Sequence, residues 1–443
     1  MAIQLSDHFT YSRLIRFVVP SIIMMVFTSV YGVVDGLFVS NFVGKSAFAA
    51  INLIMPFIMI FGGLGFMLGT GGSALVAKTL GEKRNEQAKR YFTMMVYITI
   101  IAGAVACIIG IAAMRPVAKL LGASEALIGD CVTYGRISLV FGVAFMLQNV
   151  FQGFFITAEK PQLGLYTTIA AGVANMVLDA VFIALFKWGV AGAALATGVS
   201  QCVGGIIPLF YFARKNDSLL QLTKTKLEFK PIMRACSNGL SEMVSNATAS
   251  IVGMLYNLQL LKYAGENGIA AYGVIMYVQF IFISIFIGYA VGCAPIVSYN
   301  YGAGNHGELK NMLKKSMVLM WTTGVVMALA AQVLAKHLAG VFVGYDKELF
   351  ELTARGFRIF SMAFLLIGFN IFASSFFTAL NNGVVSAVIS LLRTFVFKLS
   401  AVFILPLMLG VDGIWTADFS AEVFAALISA LFMVKLRKRY KYM

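Results

Sequence analysis

Charged residues are scarce in this sequence. Asp, Glu, Lys and Arg make up only 12% of its 443 residues, against about a quarter in soluble globular domains. Hydrophobic residues make up 60%, and the mean hydropathy is +0.87. So few polar groups cannot cover the surface of a soluble protein, and the composition therefore predicts a chain that lies in a lipid bilayer.

Motifs for catalysis and nucleotide binding are also missing. The sequence has no G-x-x-x-x-G-K-[ST] phosphate loop and no G-x-S-x-G nucleophile turn. Its three histidines, His8, His306 and His337, have no metal-ligating partner at a usable spacing. The five cysteines contain no C-x-x-C pair. We therefore expect no enzyme, no ATP as energy source and no cofactor.

Long apolar runs are what the sequence does contain. About 20 apolar residues are enough to cross a hydrocarbon core of about 30 Å, and we count twelve such runs, six in each half of the chain. The predicted spans 1 to 12 lie near residues 14–38, 48–73, 92–113, 134–156, 163–186, 191–212, 237–260, 270–297, 316–338, 357–379, 385–408 and 413–434. The fold class is therefore predicted to be an all-α membrane protein with twelve transmembrane helices.

The two halves of the chain repeat each other. Residues 41–50 match residues 262–271 without a gap, and the same shift places Gly71 on Gly292 and Gly81 on Gly302. An even number of spans per half gives both halves the same orientation, so the pseudo-two-fold axis runs along the membrane normal. We predict a first lobe over residues 1–222 and a second lobe over residues 223–443. Paired bundles of this kind are typical of transporters that rock around a central site.

Basic residues give the orientation. If the N-terminus is cytoplasmic, most of the 34 Lys and Arg residues fall in the segments on the inner side, which the positive-inside rule requires. We therefore expect a multi-pass protein of the plasma membrane of a prokaryote, with both termini in the cytoplasm. The net charge of +15 is then explained by contact with lipid headgroups and needs no nucleic acid.

A few acidic residues lie inside the apolar runs, where an ionised side chain costs several kcal/mol. Asp35 in span 1 and Asp179 in span 5 both fall in the outer half of spans that run outward. Asn175 precedes Asp179 by one helical turn, and Thr197 enters the same depth from the outer side at the start of span 6. These four residues predict a site for a proton or another small cation. The alternative is that one or both aspartates face outer water or cap a helix end.

The second half does not copy these positions, because a shift of 221 places Tyr256 over Asp35 and a shift of 222 places Ala401 over Asp179. It has a polar set of its own. This set, a candidate second-lobe polar site, consists of Glu242 in span 7, Asp418 and Glu422 four residues apart in span 12, and Arg393 and Lys398 in span 11. A structural salt bridge and a role in substrate binding are both open for it.

Aromatic and sulfur-containing side chains are abundant, with 38 Phe, 17 Tyr and 23 Met. Most are expected to face lipid or neighbouring helices. A cavity lined by some of them would suit flat, apolar cations. Candidates near the lobe interface are Met55, Phe57, Phe154, Met276 and Tyr277.

Four motifs together resemble a known family. They are V-V-D-G-L-F-V in span 1, N-x-x-L-D in span 5, G-x-A-G-A-A-L-A-T at the start of span 6 and A-P-I-V-S-Y-N-Y-G-A-G-N after span 8. Their order and the doubled twelve-span layout are similar to the multidrug and toxic-compound extrusion (MATE) family, and within it to the MepA-like branch, which is related to the DinF-like group.

The resemblance implies a secondary active transporter of a definite kind. It would be a multidrug efflux antiporter that expels organic cations in exchange for inward H⁺ or Na⁺, with two six-helix lobes around a central cavity that opens alternately to either side. Its partners would be small organic cations and membrane lipid, with no nucleic acid and no ATP, and it would act as a monomer. The family's first-lobe cation site transfers to Asp35, Asn175, Asp179 and Thr197, which would also be the ligands of a sodium ion.

One departure from the family pattern concerns the second lobe. NorM-like members place acids deep in spans 7 and 10, whereas span 10 here has none and Glu242 lies near the predicted start of span 7. We therefore do not expect a second-lobe sodium site of that kind. The main alternative function is a flippase for lipid-linked oligosaccharides, which would use Arg393 and Lys398 to bind a diphosphate.

Overall fold

The computed structural model describes residues 3–443, with the side chains of Lys45 and Ser250 excepted. Met1 and Ala2, the first two residues of the predicted first lobe, lie outside the described residues. Helices account for all regular structure in the described range, because a backbone in lipid must satisfy its polar groups within the segment. They are α1 (Tyr11–Phe38), α2 (Lys45–Gly81), α3 (Asn85–Leu120), α4 (Ile128–Val140), α5 (Gly142–Thr157), α6 (Pro161–Asp179), α7 (Gly189–Ala213), α8 (Phe229–Gly302), α9 (His306–Val343), α10 (Lys347–Ser361), α11 (Phe364–Ala379), α12 (Gly383–Leu391), α13 (Lys398–Ile404), α14 (Pro406–Leu409) and α15 (Val411–Tyr440).

These helices form twelve membrane spans. Among residues 3–443, nine helices are long and apolar enough to cross a bilayer, and two bent pairs, α4 with α5 and α10 with α11, supply two more. Helix α8 has 74 residues and would be about 110 Å long if straight. It breaks at Gly265, where φ is 63° and ψ is −154°, so it supplies two antiparallel spans. The predicted fold class is confirmed.

The spans differ from the predicted ones in length and straightness. Spans 4 and 10 are each broken by a bend, of 55° before Gly142 and of 48° before Phe364. Helices such as α3 and α9, with 36 and 38 residues, extend well beyond the roughly 20 residues that a hydrocarbon core requires. Hydropathy detects only the part of a helix that lies in lipid, so the ends in the headgroup region were missed.

Large apolar side chains cover the outside of the bundle. Ile108 is 67% exposed, Ile109 62% and Leu329 61%, which no protein in water would tolerate over so many positions. The interior of each lobe is packed with aromatic rings instead. In the first lobe the Phe92 ring lies 4.8 Å from Phe154 and 5.0 Å from Phe212.

The two lobes meet along α2 and α8, and the contact is closest on the side of the membrane where both termini lie, called the terminal face here. A Cβ at Gly81 would overlap the carbonyl oxygen of Tyr299, and a Cβ at Gly302 would overlap that of Lys78. Residues 78 and 299, like residues 81 and 302, are 221 positions apart, so this contact is symmetric under the predicted pseudo-two-fold axis. Glycine is required at both positions because the two backbones touch.

A second close approach lies about 15 Å further along α2. A Cβ at Gly71 would overlap the carbonyl oxygen of Ala235, and a Cβ at Gly239 would overlap that of Met67. Towards the opposite face, by contrast, a Cβ at Gly32 of α1 or Gly253 of α8 would meet no atom within 4 Å. The lobes are therefore closed against each other on the terminal face.

The linker Arg214–Glu228 joins α7 to α8, and the predicted boundary between residues 222 and 223 falls within it. That boundary stays a prediction. The N-terminal segment is part of the hydrophobic core, because Leu5 and Phe9 are fully buried in a cluster that consists mainly of second-lobe residues.

The N-terminal segment, residues 3–9, contacts both lobes on the terminal face. Its Leu5 N–H donates to Glu159 Oε1 of the first lobe at 2.6 Å, and its Phe9 N–H donates to Glu308 Oε1 of the second lobe at 3.0 Å. His8 Nδ1 lies 2.8 Å from Glu308 Oε2. Glu308 thus accepts from the backbone of this segment, while Asn300 and Asn311 of the same lobe donate to its carbonyl groups.

We expect Glu308→Ala to release the N-terminal segment from the second lobe. The change leaves the Phe9 N–H without its acceptor, which costs about 1–3 kcal/mol for a buried donor. Limited proteolysis of the purified protein should then cleave near residues 3–10 several-fold faster than in the unaltered protein. The exposed Glu351→Ala serves as the control, and equal cleavage rates in the two variants would show that Glu308 does not hold the segment.

Candidate ion and substrate site

Three of the four predicted first-lobe residues come together in the structure. Asp35 lies near the end of α1, Asp179 is the last residue of α6, and Thr197 lies in the third turn of α7. Helix α6 packs against both α1 and α7. This packing places the Asp35 carboxyl beside the Asp179 carboxyl and the Thr197 hydroxyl. The residues lie in the half of the lobe that faces away from the terminal face.

The polar atoms of this cluster are buried without partners. Asp179 is fully buried and Asn175, one turn before it, is 1% exposed. Within residues 3–443, no hydrogen-bond partner is found for Asp35 Oδ1, for either oxygen of Asp179, for Thr197 Oγ1 or for the side-chain amide of Asn175. A buried polar group without a partner lowers the stability of the fold. A cluster of such groups therefore indicates a binding site, in which a ligand supplies the missing partners.

Both helices that carry the aspartates continue into π-helical turns. Val39–Val43 follows α1, and Ala180–Leu185 begins directly after Asp179. A π turn widens the helix and redirects its side chains, and such turns occur frequently at functional sites. Hydropathy and spacing do not report these turns, because they change the backbone and leave the apolar pattern intact.

Tyr134 of α4 is a member of the site that the sequence analysis missed. It is 3% exposed, and its phenol lies beside the hydroxyls of Ser138 and Thr197. The phenol is also close enough to the carboxyl groups of Asp35 and Asp179 to interact with them electrostatically. The depth argument used for Asp35 and Asp179 could have found it, because span 4 enters from the same side as Thr197. A neutral tyrosine in an apolar run gives no such signal, because burying it costs far less than burying an acid.

No basic group balances the two aspartates. In the part of the chain whose side chains are described, the ion pairs include neither Asp35 nor Asp179. The donor set of two carboxyls, one amide and one hydroxyl offers only oxygen atoms to a cation, which suits hard ions. The described residues contain no group of three or more His, Cys, Asp and Glu that could hold a metal ion.

The second-lobe polar site is built differently, from paired charges. Arg393 Nε donates to Glu422 Oε1 at 2.8 Å, and Lys398 forms an ion pair with Asp418. Both acids are buried, at 2% for Asp418 and 0% for Glu422. Of the two interpretations left open for this site, the geometry favours a structural salt bridge, because both bases are paired with buried acids.

Hydrogen bonds complete these pairs. The Tyr256 hydroxyl donates to Asp418 Oδ2 at 2.9 Å, and Asn370 Nδ2 donates to Glu422 Oε2 at 2.7 Å. Neither Tyr256 nor Asn370 was identified as a candidate from the sequence. Buried ion pairs need such additional bonds to offset desolvation.

Glu242 lies deeper than predicted. Helix α8 begins at Phe229, well before the apolar run at residue 237, so Glu242 is more than three turns inside the helix. It lies next to Met243, whose Cα would be 3.7 Å from a Cβ at Gly63 of α2. This stretch of α8 therefore lies at the lobe interface, and Glu242 is further from the start of its helix than the apolar run indicates.

The cavity-lining candidates are divided by the structure. Phe154 is fully buried in the first-lobe aromatic core, so the expectation that it lines a cavity is wrong. Met276 and Tyr277 are 37% and 41% exposed. The sequence shows that a residue is apolar but does not show which side of the helix it occupies. It therefore cannot distinguish a residue buried inside a lobe from one exposed at the surface of the lobe.

Family membership follows from a comparison of the sequence with known families. The profile of the MatE family matches residues 20–181 and again residues 243–404. The chain belongs to the MATE family. The two matched segments have equal length and fall in the two halves, which agrees with the duplication read from the sequence.

Curated relatives of this MATE chain are export proteins. It is 25% identical over 435 residues to "Multidrug export protein MepA" of Staphylococcus saprophyticus, which covers 97% of this chain and 94% of the relative. It is 23% identical over 433 residues to the protein of the same name from Staphylococcus aureus, with the same coverage. The predicted family and its MepA-like branch are confirmed.

Solved structures have the same fold. The outward-facing conformation of a multidrug resistance MATE family transporter of the MOP superfamily superposes with a TM-score of 0.93 at 22% identity, over 100% of this chain and 99% of that one. A MOP superfamily transporter from Pyrococcus furiosus superposes with a TM-score of 0.91 at 21% identity, over 98% of both chains. This MATE chain is a multi-pass membrane protein of an export transporter family, and it is not an enzyme.

Proposed function

We propose that this MATE chain exports organic cations from a prokaryotic cell in exchange for inward H⁺ or Na⁺. The coupling cation would bind between Asp35, Asn175, Asp179 and Thr197. The observation that carries the proposal is the fully buried carboxyl of Asp179 beside that of the half-buried Asp35, with no basic partner for either among the described side chains. Two carboxylates at this depth cannot both stay ionised and uncompensated.

The exchange would follow from competition for this charge. A small cation that enters from outside neutralises the aspartates, which weakens the hold of the cavity on a bulky organic cation. After the lobes have reoriented, the ion leaves and a new organic cation binds. This requires only that the ion and the substrate bind the two conformations with different affinity.

Two carboxyls also set limits on the energetics. A one-for-one exchange of monovalent cations moves no net charge and gains about 1.4 kcal/mol per tenfold ion gradient. A second coupling ion, for which the second carboxyl provides a place, adds about 2.3 kcal/mol per 100 mV of membrane potential.

The orientation and partners belong to the same proposal. Lys and Arg residues concentrate at the terminal face, which supports cytoplasmic termini in the plasma membrane. Closure of the lobes at that face then corresponds to an outward-facing state. The two lobes that meet along α2 and α8 belong to one chain, which supports a monomer as the working unit. The MepA relatives are bacterial and are named for multidrug export.

Transport by proteoliposomes tests the coupling. Purified protein is reconstituted into vesicles that are loaded with ethidium, so that the ethidium gradient points outward. Sodium is removed in one arm of the experiment. In the other arm an uncoupler collapses the pH gradient. We expect one arm to abolish ethidium export and the other to spare it, which identifies the ion. Export that survives in both arms would contradict ion coupling.

A further inference from the structure

The duplicated lobes place one contact at equivalent positions. Residues 35 and 197 of the first lobe correspond to residues 256 and 418 of the second, each pair related by a shift of 221. In the first lobe the Asp35 carboxyl lies beside the Thr197 hydroxyl. In the second lobe the Tyr256 hydroxyl donates to Asp418 Oδ2 at 2.9 Å. A carboxyl and a hydroxyl therefore occupy equivalent positions in both lobes, with the two groups exchanged between the helices, and the second lobe joins them by a hydrogen bond.

The third member of the contact differs between the lobes. In the first lobe it is Asp179, a second carboxyl at the end of α6. In the second lobe it is Lys398 at the start of α13, three residues before Ala401, the position that corresponds to Asp179. The Lys398 ammonium contacts Asp418 Oδ1. One lobe thus has two acids without a base, and the other has one acid with a base.

Burial makes this difference chemically important. The side chain of Asp418 is 4% exposed and that of Lys398 is 17% exposed. A carboxylate so deeply buried needs a positive charge beside it. An ammonium group is a small monovalent cation, as H⁺ and Na⁺ are, and it is covalently attached to α13 and so cannot leave.

We propose that the Asp418–Tyr256 contact is a second copy of the first-lobe cation site in which the Lys398 ammonium permanently takes the place of the exchangeable cation. The proposal rests on the proposed function only in the identity of the first-lobe ligand. It assigns Asp418 a latent affinity for a small monovalent cation. Under the proposed function it also confines ion exchange to the first lobe.

Few other groups near Asp418 could balance its negative charge. The charged and titratable side chains that face it or lie one turn away are Lys398 from α13, Tyr256 and Tyr272 from α8, and Glu422 on α15 with its partner Arg393. Arg355 of α10 pairs with Asp412, nearer the start of α15. With Glu422 already paired, Lys398 alone balances Asp418.

Removing the Lys398 ammonium should therefore create an exchangeable site. In Lys398→Met and Lys398→Gln, Asp418 must take up a proton or a sodium ion to remain buried. The test is made in the background Asp35→Asn with Asp179→Asn, so that the first-lobe aspartates contribute nothing. The melting temperature of purified protein is measured from mildly acidic to mildly alkaline buffer, with sodium chloride or choline chloride at equal ionic strength.

We expect both Lys398 variants to lose several degrees of melting temperature as the pH rises, and sodium to restore the loss if the site accepts Na⁺ as well as H⁺. Lys398→Arg, which keeps a tethered cation, should show neither effect. Adding Asp418→Asn to either variant should remove the response.

Two results would overturn the proposal. One is a Lys398→Met or Lys398→Gln protein that folds and responds to pH and sodium no more than Lys398→Arg. The other is a response that survives Asp418→Asn. If Lys398→Met does not fold, Lys398→Gln decides, since its amide can still donate to Asp418. Because melting is measured without transport and without the first-lobe aspartates, failure of the proposed export function would leave this result unchanged.

Discussion

Replacing Asp179 by asparagine is expected to abolish drug export while the protein stays folded in the membrane. The change removes one of two adjacent carboxyls and keeps the size of the side chain. Asp179 is fully buried and both of its oxygens lack a partner among the described residues, so the native fold gains no bond from them. Without this charge, the coupling ion and the organic cation no longer compete. We expect transport to fall by at least about tenfold, which corresponds to a loss of about 1.4 kcal/mol or more in coupling.

Ethidium export from cells that lack other pumps measures the effect, with membrane abundance and melting temperature as checks of folding. Glu125→Gln is the matched control, since it makes the same acid-to-amide change in the same lobe at a side chain that is 80% exposed. Asp35→Asn should behave as Asp179→Asn does. Wild-type export by either aspartate variant would contradict the assignment of the site.

Replacing Gly239 by alanine is expected to hold the lobes apart at the terminal face. The added Cβ would overlap the carbonyl oxygen of Met67 in α2, and a backbone atom cannot turn aside as a side chain can. Overpacking of this kind costs about 3 kcal/mol. If the cost falls only on the closed state, the population with separated lobes rises by up to roughly 100-fold.

Cys236 reports this separation, because its partly buried thiol packs against first-lobe residues one turn before Gly239. Its rate of maleimide labelling, followed by mass spectrometry, should rise strongly in Gly239→Ala. Gly253→Ala is the control in the same helix, where a Cβ meets no atom within 4 Å. There alanine should leave labelling unchanged and stabilise the helix by up to about 1 kcal/mol. Equal labelling of the two variants would show that the Gly239 contact does not close the lobes.

The architecture could be predicted from the sequence because lipid imposes simple requirements. Twelve apolar runs and a 221-residue repeat follow directly from hydropathy and self-similarity. The bends before Gly142 and Phe364 and the break at Gly265 could not, because they depend on how neighbouring helices pack. Polar helical turns outside the lipid leave no hydropathy signal. The predicted helix ends are therefore misplaced, and Glu242 was expected nearer the start of α8 than it lies.

The candidate site was predictable in part. Asp35 and Asp179 could be found because an acid in an apolar run is rare and because the direction of each span gives its depth. Tyr134 and Tyr256 were missed because tyrosine is common in membrane helices and carries no charge to mark it. The pairing of Arg393 with Glu422 and of Lys398 with Asp418 was considered, but only the helix packing could decide it.

The N-terminal segment has a consequence for the timing of the transport cycle. Residues 3–9 are bonded to Glu159 in one lobe and to Glu308 in the other, and their two large side chains are fully buried. Separation of the lobes at the terminal face cannot leave both attachments intact. In the export cycle proposed above, the time that a drug molecule waits for this face to open therefore depends on how readily residues 3–9 detach from one of the lobes.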